Sequence, residues 1–210
     1  MSRLKTNEET SAEPGGRQRL IEAALKLAAK SRSVQTIGVR ELGRTAGLNP
    51  NTFYRHFSSM DELTLSLIET LSRDLRQTLR QMRQSLRQPD AVIQRTVEYV
   101  FDFADKNPEA FIVGVRELYG ASVPVRAAIR QMISGLADDI VDDIRLLNNA
   151  PGIPEETVRE IAEMIVPQIF HNILDYLERP KHRAVLVRHS IQFVNMLFAG
   201  AAVLGGMLRK

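Results

Sequence analysis

Asn51, Thr52, Tyr54, Arg55 and His56 surround Phe53 in a six-residue stretch, so five hydrogen-bonding side chains are grouped about one aromatic anchor. On a helix, Phe53 and Phe57 share a face and would point inward, leaving the five polar side chains outward. Asn and Arg can each make paired hydrogen bonds to base edges in a DNA major groove, and hydroxyls and imidazoles suit phosphate oxygens. An ordinary helical hairpin with a polar surface fits the same local spacing. Other chemistries find less support. The chain has no cysteine, which excludes disulfides, thiolate metal sites and cysteine nucleophiles. His56, His171, His182 and His189 fall on different expected helices or near a terminus and lack metal-ligand spacing. Asp138, Asp139, Asp142 and Asp143 form one acidic helix face, which reads as solvated rather than catalytic. With no phosphate loop, nucleophile elbow or dinucleotide fingerprint, the chain is not expected to be an enzyme.

The elements that must position the polar cluster are legible around it. Val39, Leu42 and Ala46 give residues 39–46 an inner apolar face. Gly47 supplies a left-handed turn that would cost a side-chained residue about 1–2 kcal/mol. Leu48 plugs the corner, Asn49 is a good N-cap, and Pro50 suits a first helical turn. The spacing therefore predicts helix, tight turn and a short second helix over 50–57. Ahead of it, Leu20, Ala24 and Leu27 form the inner face of a helix from about Arg17.

Helical periodicity continues through the rest of the chain and strand signals are almost absent, which predicts an all-α fold of about nine helices. A long helix is expected over 60–88. Pro89, Pro108, Pro124 and Pro154 mark first turns, Pro180 separates the last two helices, and Pro167 should kink the helix around it. Three regions follow: an arm over 1–16, a small helical domain over 17–62, and a larger one over 63–210. Residues 1–60 hold 10 Lys and Arg against 5 Asp and Glu, whereas residues 61–210 hold 18 against 20. The basic excess thus sits with the polar cluster, as contact with a polyanion requires. The first 16 residues carry no apolar run, and no uninterrupted apolar stretch reaches the roughly 18 residues of a membrane span. A cytoplasmic protein without membrane association is the expectation.

Residues 17–67, with VRELGRTAGLNPNTFYRHFSSMDEL over 39–63, resemble the DNA-binding domain of TetR-family transcriptional regulators. Within that family, the segments TFYRHF, MDEL, LRQTLRQMRQ, NPEAF, the Arg116–Glu117 pair followed by Gly120, and Arg126-Ala-Ala resemble the FabR-type repressors of unsaturated fatty-acid synthesis. The resemblance implies a three-helix reading domain joined by a long fourth helix to an effector-binding and dimerisation domain. It implies contacts to double-stranded DNA from Tyr54 and His56 (phosphate and groove) and from Asn51, Thr52 and Arg55 (bases). Arg40 and Asn49 complete that candidate set. Two departures weaken the expected phosphate grip: Gly38 stands where a capping hydroxyl is usual, and Met60 where many members carry lysine.

For the second domain, the resemblance implies an apolar effector lodged between helices five and eight. Phe101, Phe111, Val115, Arg116, Tyr119, Ile133 and Phe170 are the candidate lining, although a plain hydrophobic core accounts for the same aromatics. Arg116 and Glu117 read either as ion pairs to neighbouring helices or as a contact to a polar effector group. Arg73, Arg76, Arg80, Arg83 and Arg87 form a stripe that reads either as a solvated face or as a grip on a phosphate-bearing ligand. Such a ligand would be a long-chain acyl-CoA or an acyl carrier protein thioester; no cofactor is expected. Ile165, Ile169, Ile173, Ile191, Val194 and Phe198 fit a family-like homodimer interface or burial within one subunit. The functional expectation is a dimeric, ligand-responsive repressor of fatty-acid genes. The alternative is a regulator of the same type that answers another hydrophobic molecule, such as a drug.

Overall fold

The computed structural model of the chain describes residues 15–30, 33–85, 89–148 and 150–207. Among these, the chain folds entirely into helices, as expected. The order is α1 (Gly16–Ala29), a 3-10 turn (Val34–Thr36), α2 (Val39–Ala46), α3 (Asn51–His56), α4 (Met60–Ser85) and α5 (Pro89–Lys106). It continues with α6 (Pro108–Glu117), α7 (Val123–Leu147), α8 (Glu155–Glu178), a second 3-10 turn (Pro180–His182) and α9 (Arg183–Met207). The expected arm, apart from Gly15 and Gly16, lies outside the described residues, as do Arg87 and the end expected for α4.

Local chemistry explains the helix ends. Gly47 closes α2 at φ 64°, and a Cβ there would also stand 2.7 Å from the Arg19 guanidinium. Ser59 and Glu62 form a capping box at the start of α4, a reciprocal arrangement of cap hydroxyl and third-position carboxylate. The Glu62 amide donates to Ser59 Oγ at 3.1 Å, and its carboxylate accepts from the Ser58 amide at 2.6 Å. The hydroxyl and amide of Ser58 hold the Glu62 carboxyl below its ordinary value. The Ser122 hydroxyl caps α7, and Asn148 ends it in the left-handed region at φ 49°. α8 runs unbroken through Pro167.

Two apolar cores result. The first gathers Leu20, Ala24, Leu42, Phe53 and Phe57 with Leu63 and Leu67 of α4 and Val113 of α6. The second starts at Leu75 and Leu79 of α4 and takes in Val97, Phe101, Leu136, Ile165 and Ile173. α4 contributes to both cores. Its first turns belong to the small core because Leu63 and Leu67 cover the α1–α3 bundle.

Charges fasten α4 to α7. Arg76 pairs with Asp139 through both Nε (2.7 Å) and Nη2 (3.0 Å), and Arg80 Nη2 reaches the same carboxylate at 2.6 Å. Arg83 Nε donates to Asp143 at 2.6 Å. Gly135 continues this face of α7, and a Cβ there would stand 2.9 Å from Arg76 Nη1. Asp139 and Asp143 are buried while Asp142 is exposed and Asp138 partly so, and the expected solvated acidic face is therefore divided. Burial opposes ionisation of Asp139, but the Arg76 and Arg80 guanidiniums outweigh it and hold the carboxyl below its ordinary range.

Candidate DNA-reading head and effector cavity

Phe53 and Phe57 root α3 in the small core, their rings 5.9 Å apart. The turn into α3 is built as expected: Asn49 Oδ1 accepts from the Asn51 amide at 2.9 Å. Asn49, Asn51, Tyr54, Arg55 and His56 are exposed, Tyr54 by 66%, and Thr52 is half-buried. Arg40 is exposed on α2, and Gly38 ahead of it provides no side-chain cap. The close crossing of α2 and α3 depends on a residue that local pattern did not single out. A Cβ on Gly43 would lie 3.1 Å from both the Leu48 carbonyl oxygen and Pro50 Cα. Arg19 ties α1 to the end of α2 by donating to the Ala46 carbonyl at 2.7 Å.

In the second domain, α4, α5, α7, α8 and α9 line a cavity of about 500 Å³. Its lining is mainly apolar, with Leu79, Val97, Leu136, Val166 and Phe198 among the contributors. Arg83, Thr96, Asp143 and Asn195 are the polar exceptions. A smaller cavity of about 70 Å³ lies between α4, α6, α7 and α8, and Leu75 and Phe170 line both spaces.

Residues 20–67 match the family model described as bacterial regulatory proteins, tetR family. The N-terminal domain is of the TetR type. The whole fold is similar to that of the fatty acid degradation regulator FadR from Bacillus halodurans. That similarity has a TM-score of 0.74 at 15% identity, over 90% of this chain and 97% of that one. FadR from Bacillus subtilis, solved in complex with stearoyl-CoA, superimposes with a TM-score of 0.68 at 18% identity, over 87% of this chain and 98% of that one. FadR from Thermus thermophilus, a TetR-family transcriptional repressor solved with lauroyl-CoA, gives 0.62 at 18% identity, over 86% and 92%.

The TetR-type domain is clasped to the second domain through α6. Arg116 Nη1 donates to the Ala29 carbonyl at 3.1 Å, at the end of α1. Glu117, 2% exposed, accepts from Ser33 Oγ at 2.6 Å and from the Val34 amide at 2.9 Å. Gly120 must lack a side chain, because a Cβ there would stand 2.3 Å from Glu117 Oε2. Arg116 therefore meets backbone oxygens of the reading domain, neither an ion-pair partner nor the interior of a cavity. Its helix turns that face toward α1.

The remaining pocket candidates divide. Phe170 lines both cavities, and Phe111, Val115 and Ile133 line the small one. Phe101 is fully buried against Tyr176 and borders neither, and Tyr119 points outward at 73% exposure. Three members of the arginine stripe pair with α7, Arg76 and Arg80 with Asp139 and Arg83 with Asp143.

The candidate dimer residues also move. Ile165, Ile169, Val194 and Phe198 line the large cavity, Ile173 is fully buried, and Ile191 packs half-buried against the same core. Their periodicity marks the side of α8 and α9 that faces the subunit's own interior. The opposite side exposes Met164 on α8 and Met196, Val203 and Leu204 on α9. Among the described residues, Pro180–Gly205 is the one stretch long and apolar enough, by length and composition, to cross a membrane, and little of it is buried within the chain.

Proposed function

We propose that this chain is a repressor that binds a palindromic operator as a homodimer and answers long-chain acyl thioesters, in control of fatty-acid genes. The carrying observation is an apolar cavity of about 500 Å³ in a helical domain that follows a TetR-type reading head. That size falls within the ordinary range for small-molecule sites, about 300–1,000 Å³. The stearoyl-CoA and lauroyl-CoA held by the two FadR structures support an acyl ligand here, and the FabR-like segments support unsaturated fatty-acid synthesis as the target. One α3 is too small to specify a genomic site, so two copies reading half-sites is the natural solution. The apolar outer face of α8 and α9 suits a second copy of the chain.

An acyl chain in the cavity would press on α4 and α8, whose Leu75 and Phe170 also border the small cavity under α6. α6 holds the end of α1 through Arg116 and Glu117, so a shift there would tilt the reading head. A ligand achieves this only through its different affinities for the two head positions. Arg76, Arg80 and Arg83 already pair with α7, so the phosphates of the coenzyme end must be held elsewhere, and these three arginines should add little salt dependence to thioester binding.

The test is a titration of footprinted, operator-bound protein with saturated and unsaturated acyl thioesters, free fatty acids and a hydrophobic drug cation. A symmetric footprint is expected, with operator affinity shifting as thioesters bind. Their affinity should rise by about 0.8 kcal/mol per methylene until the cavity fills. Release of DNA by the cation alone would transfer the protein to the drug-responsive class.

A further inference from the structure

Arg83 is 4% exposed, and only part of its hydrogen-bonding capacity is used. Its Nε donates to Asp143, whereas Nη2 is buried with no partner among the described residues. Thr96 Oγ1, on α5, is likewise buried without a partner there. Both residues line the large cavity, as does Asp143. A buried donor without an acceptor is destabilising, and both side chains belong to the cavity wall, so a small turn of either would offer its unused donor to a ligand atom.

We infer that Arg83 and Thr96 form an anchor for one neutral hydrogen-bond acceptor, the carbonyl oxygen of an ester-like acyl group, within the large cavity. This rests on the reading of that cavity as an acyl-chain site. Charge decides the class of head group. Arg83 and Asp143 already neutralise each other, so an ionised carboxylate would add an uncompensated negative charge to an apolar space, which is costly. A carbonyl accepts the free Nη2 donor and the Thr96 hydroxyl without adding charge. A pure hydrocarbon leaves both groups unpaired.

The anchor also orients the chain. Leu75, Leu79 and Arg83 follow one another along one face of α4, so Arg83 stands about 12 Å along the axis from Leu75 at 1.5 Å per residue. Asp143 lies one turn before the end of α7, which places the anchor beside the loop Ala150–Ile153 that also lines the cavity. A chain anchored at Arg83 therefore runs past Leu79 toward Leu75 and Phe170, on the side of the reading head.

The experiment uses the full chain and measures displacement of an environment-sensitive apolar dye at pH 8. The probes are methyl decanoate and a hydrocarbon of equal heavy-atom count, each affinity referred to that compound's own transfer from water to alkane, and decanoate anion, compared directly with the ester. Methyl decanoate should bind at least tenfold more tightly than the hydrocarbon, and more tightly than decanoate. Thr96→Val, which preserves shape, and Arg83→Lys, which keeps a cation beside Asp143, should each weaken the ester severalfold. Both should leave hydrocarbon binding within about twofold. If Arg83→Lys fails to fold, Thr96→Val decides alone. Equal binding of ester and hydrocarbon to the unaltered protein overturns the anchor while leaving the acyl cavity standing. Tightest binding of decanoate overturns the preference for a neutral head. Failure of all three probes to displace the dye removes the acyl-chain reading itself, and the anchor with it.

Discussion

The reading head and the second domain are both helical, but contacts of different range shape the candidate site in each. In the head, Gly47, Asn49, Phe53 and Phe57 act within a dozen residues of one another, and the turn they make exposes the polar side of α3. In the second domain, the decisive contacts join residues about sixty positions apart, such as Arg76 with Asp139 and Arg83 with Asp143. The comparison separates two tasks. A surface that must present the same groups to DNA can be built by short-range rules. The cavity has walls drawn from five helices, which only contacts between distant stretches of chain can bring together.

The largest effect is expected where the comparison is most easily broken. Phe53→Ala removes a fully buried ring from the small core and should cost about 3–5 kcal/mol. DNA binding should be lost while the large cavity still takes up an apolar dye, as followed by circular dichroism melting with dye fluorescence. Simultaneous loss of both would mean that the two cores fold as one unit through α4 and α6.

A smaller effect is expected at the seam. Asp139→Asn should cost about 2–3 kcal/mol near neutral pH, held down because Arg76 and Arg80 are partly exposed and can regain water. Folding depresses this carboxyl, so its contribution is complete above the ordinary aspartate value of about 3.9. The contribution drains away as pH falls through the lower folded-state value. Thermal melts from pH 7 to 2 should therefore show a steeper acid loss in the unaltered protein than in the variant. Parallel curves would remove Asp139 from the account of stability.

The smallest effects sharpen the reading head itself. Arg55→Ala should cost about 1–3 kcal/mol on the operator and little on random DNA, if Arg55 reads a base. Met60→Lys should add only a few tenths of a kcal/mol on every sequence, with a steeper salt dependence. Equal losses for Arg55→Ala on both DNAs would reassign that residue to the phosphate backbone.

Much of the molecule was legible in order of residues, and the misses share a cause. Prolines and glycines announced most helix ends because their backbone limits act at the position where they stand. The turn at Gly47 and the inward pair Phe53 and Phe57 were readable for the same reason. Gly43 escaped notice because its requirement comes from Pro50 folding back over it. Arg116 and Glu117 stood out as polar breaks in an apolar helix, yet nothing near them in the chain indicated the end of α1 or the amide of Val34.

By itself, the sequence determined an all-helical chain with a turn-linked reading helix at one end, because φ limits, caps and helical periods are properties of neighbouring residues. Only the tertiary structure decided that Ile165, Ile169, Val194 and Phe198 wall a cavity and that Ile173 fills a core. The tertiary structure also turned a stripe of arginines into the partners of two buried aspartates. A periodic apolar stripe records that a face leaves water, which depends on one helix alone. What that face meets depends on the packing of the others, and charges separated along the chain find each other only when their helices do.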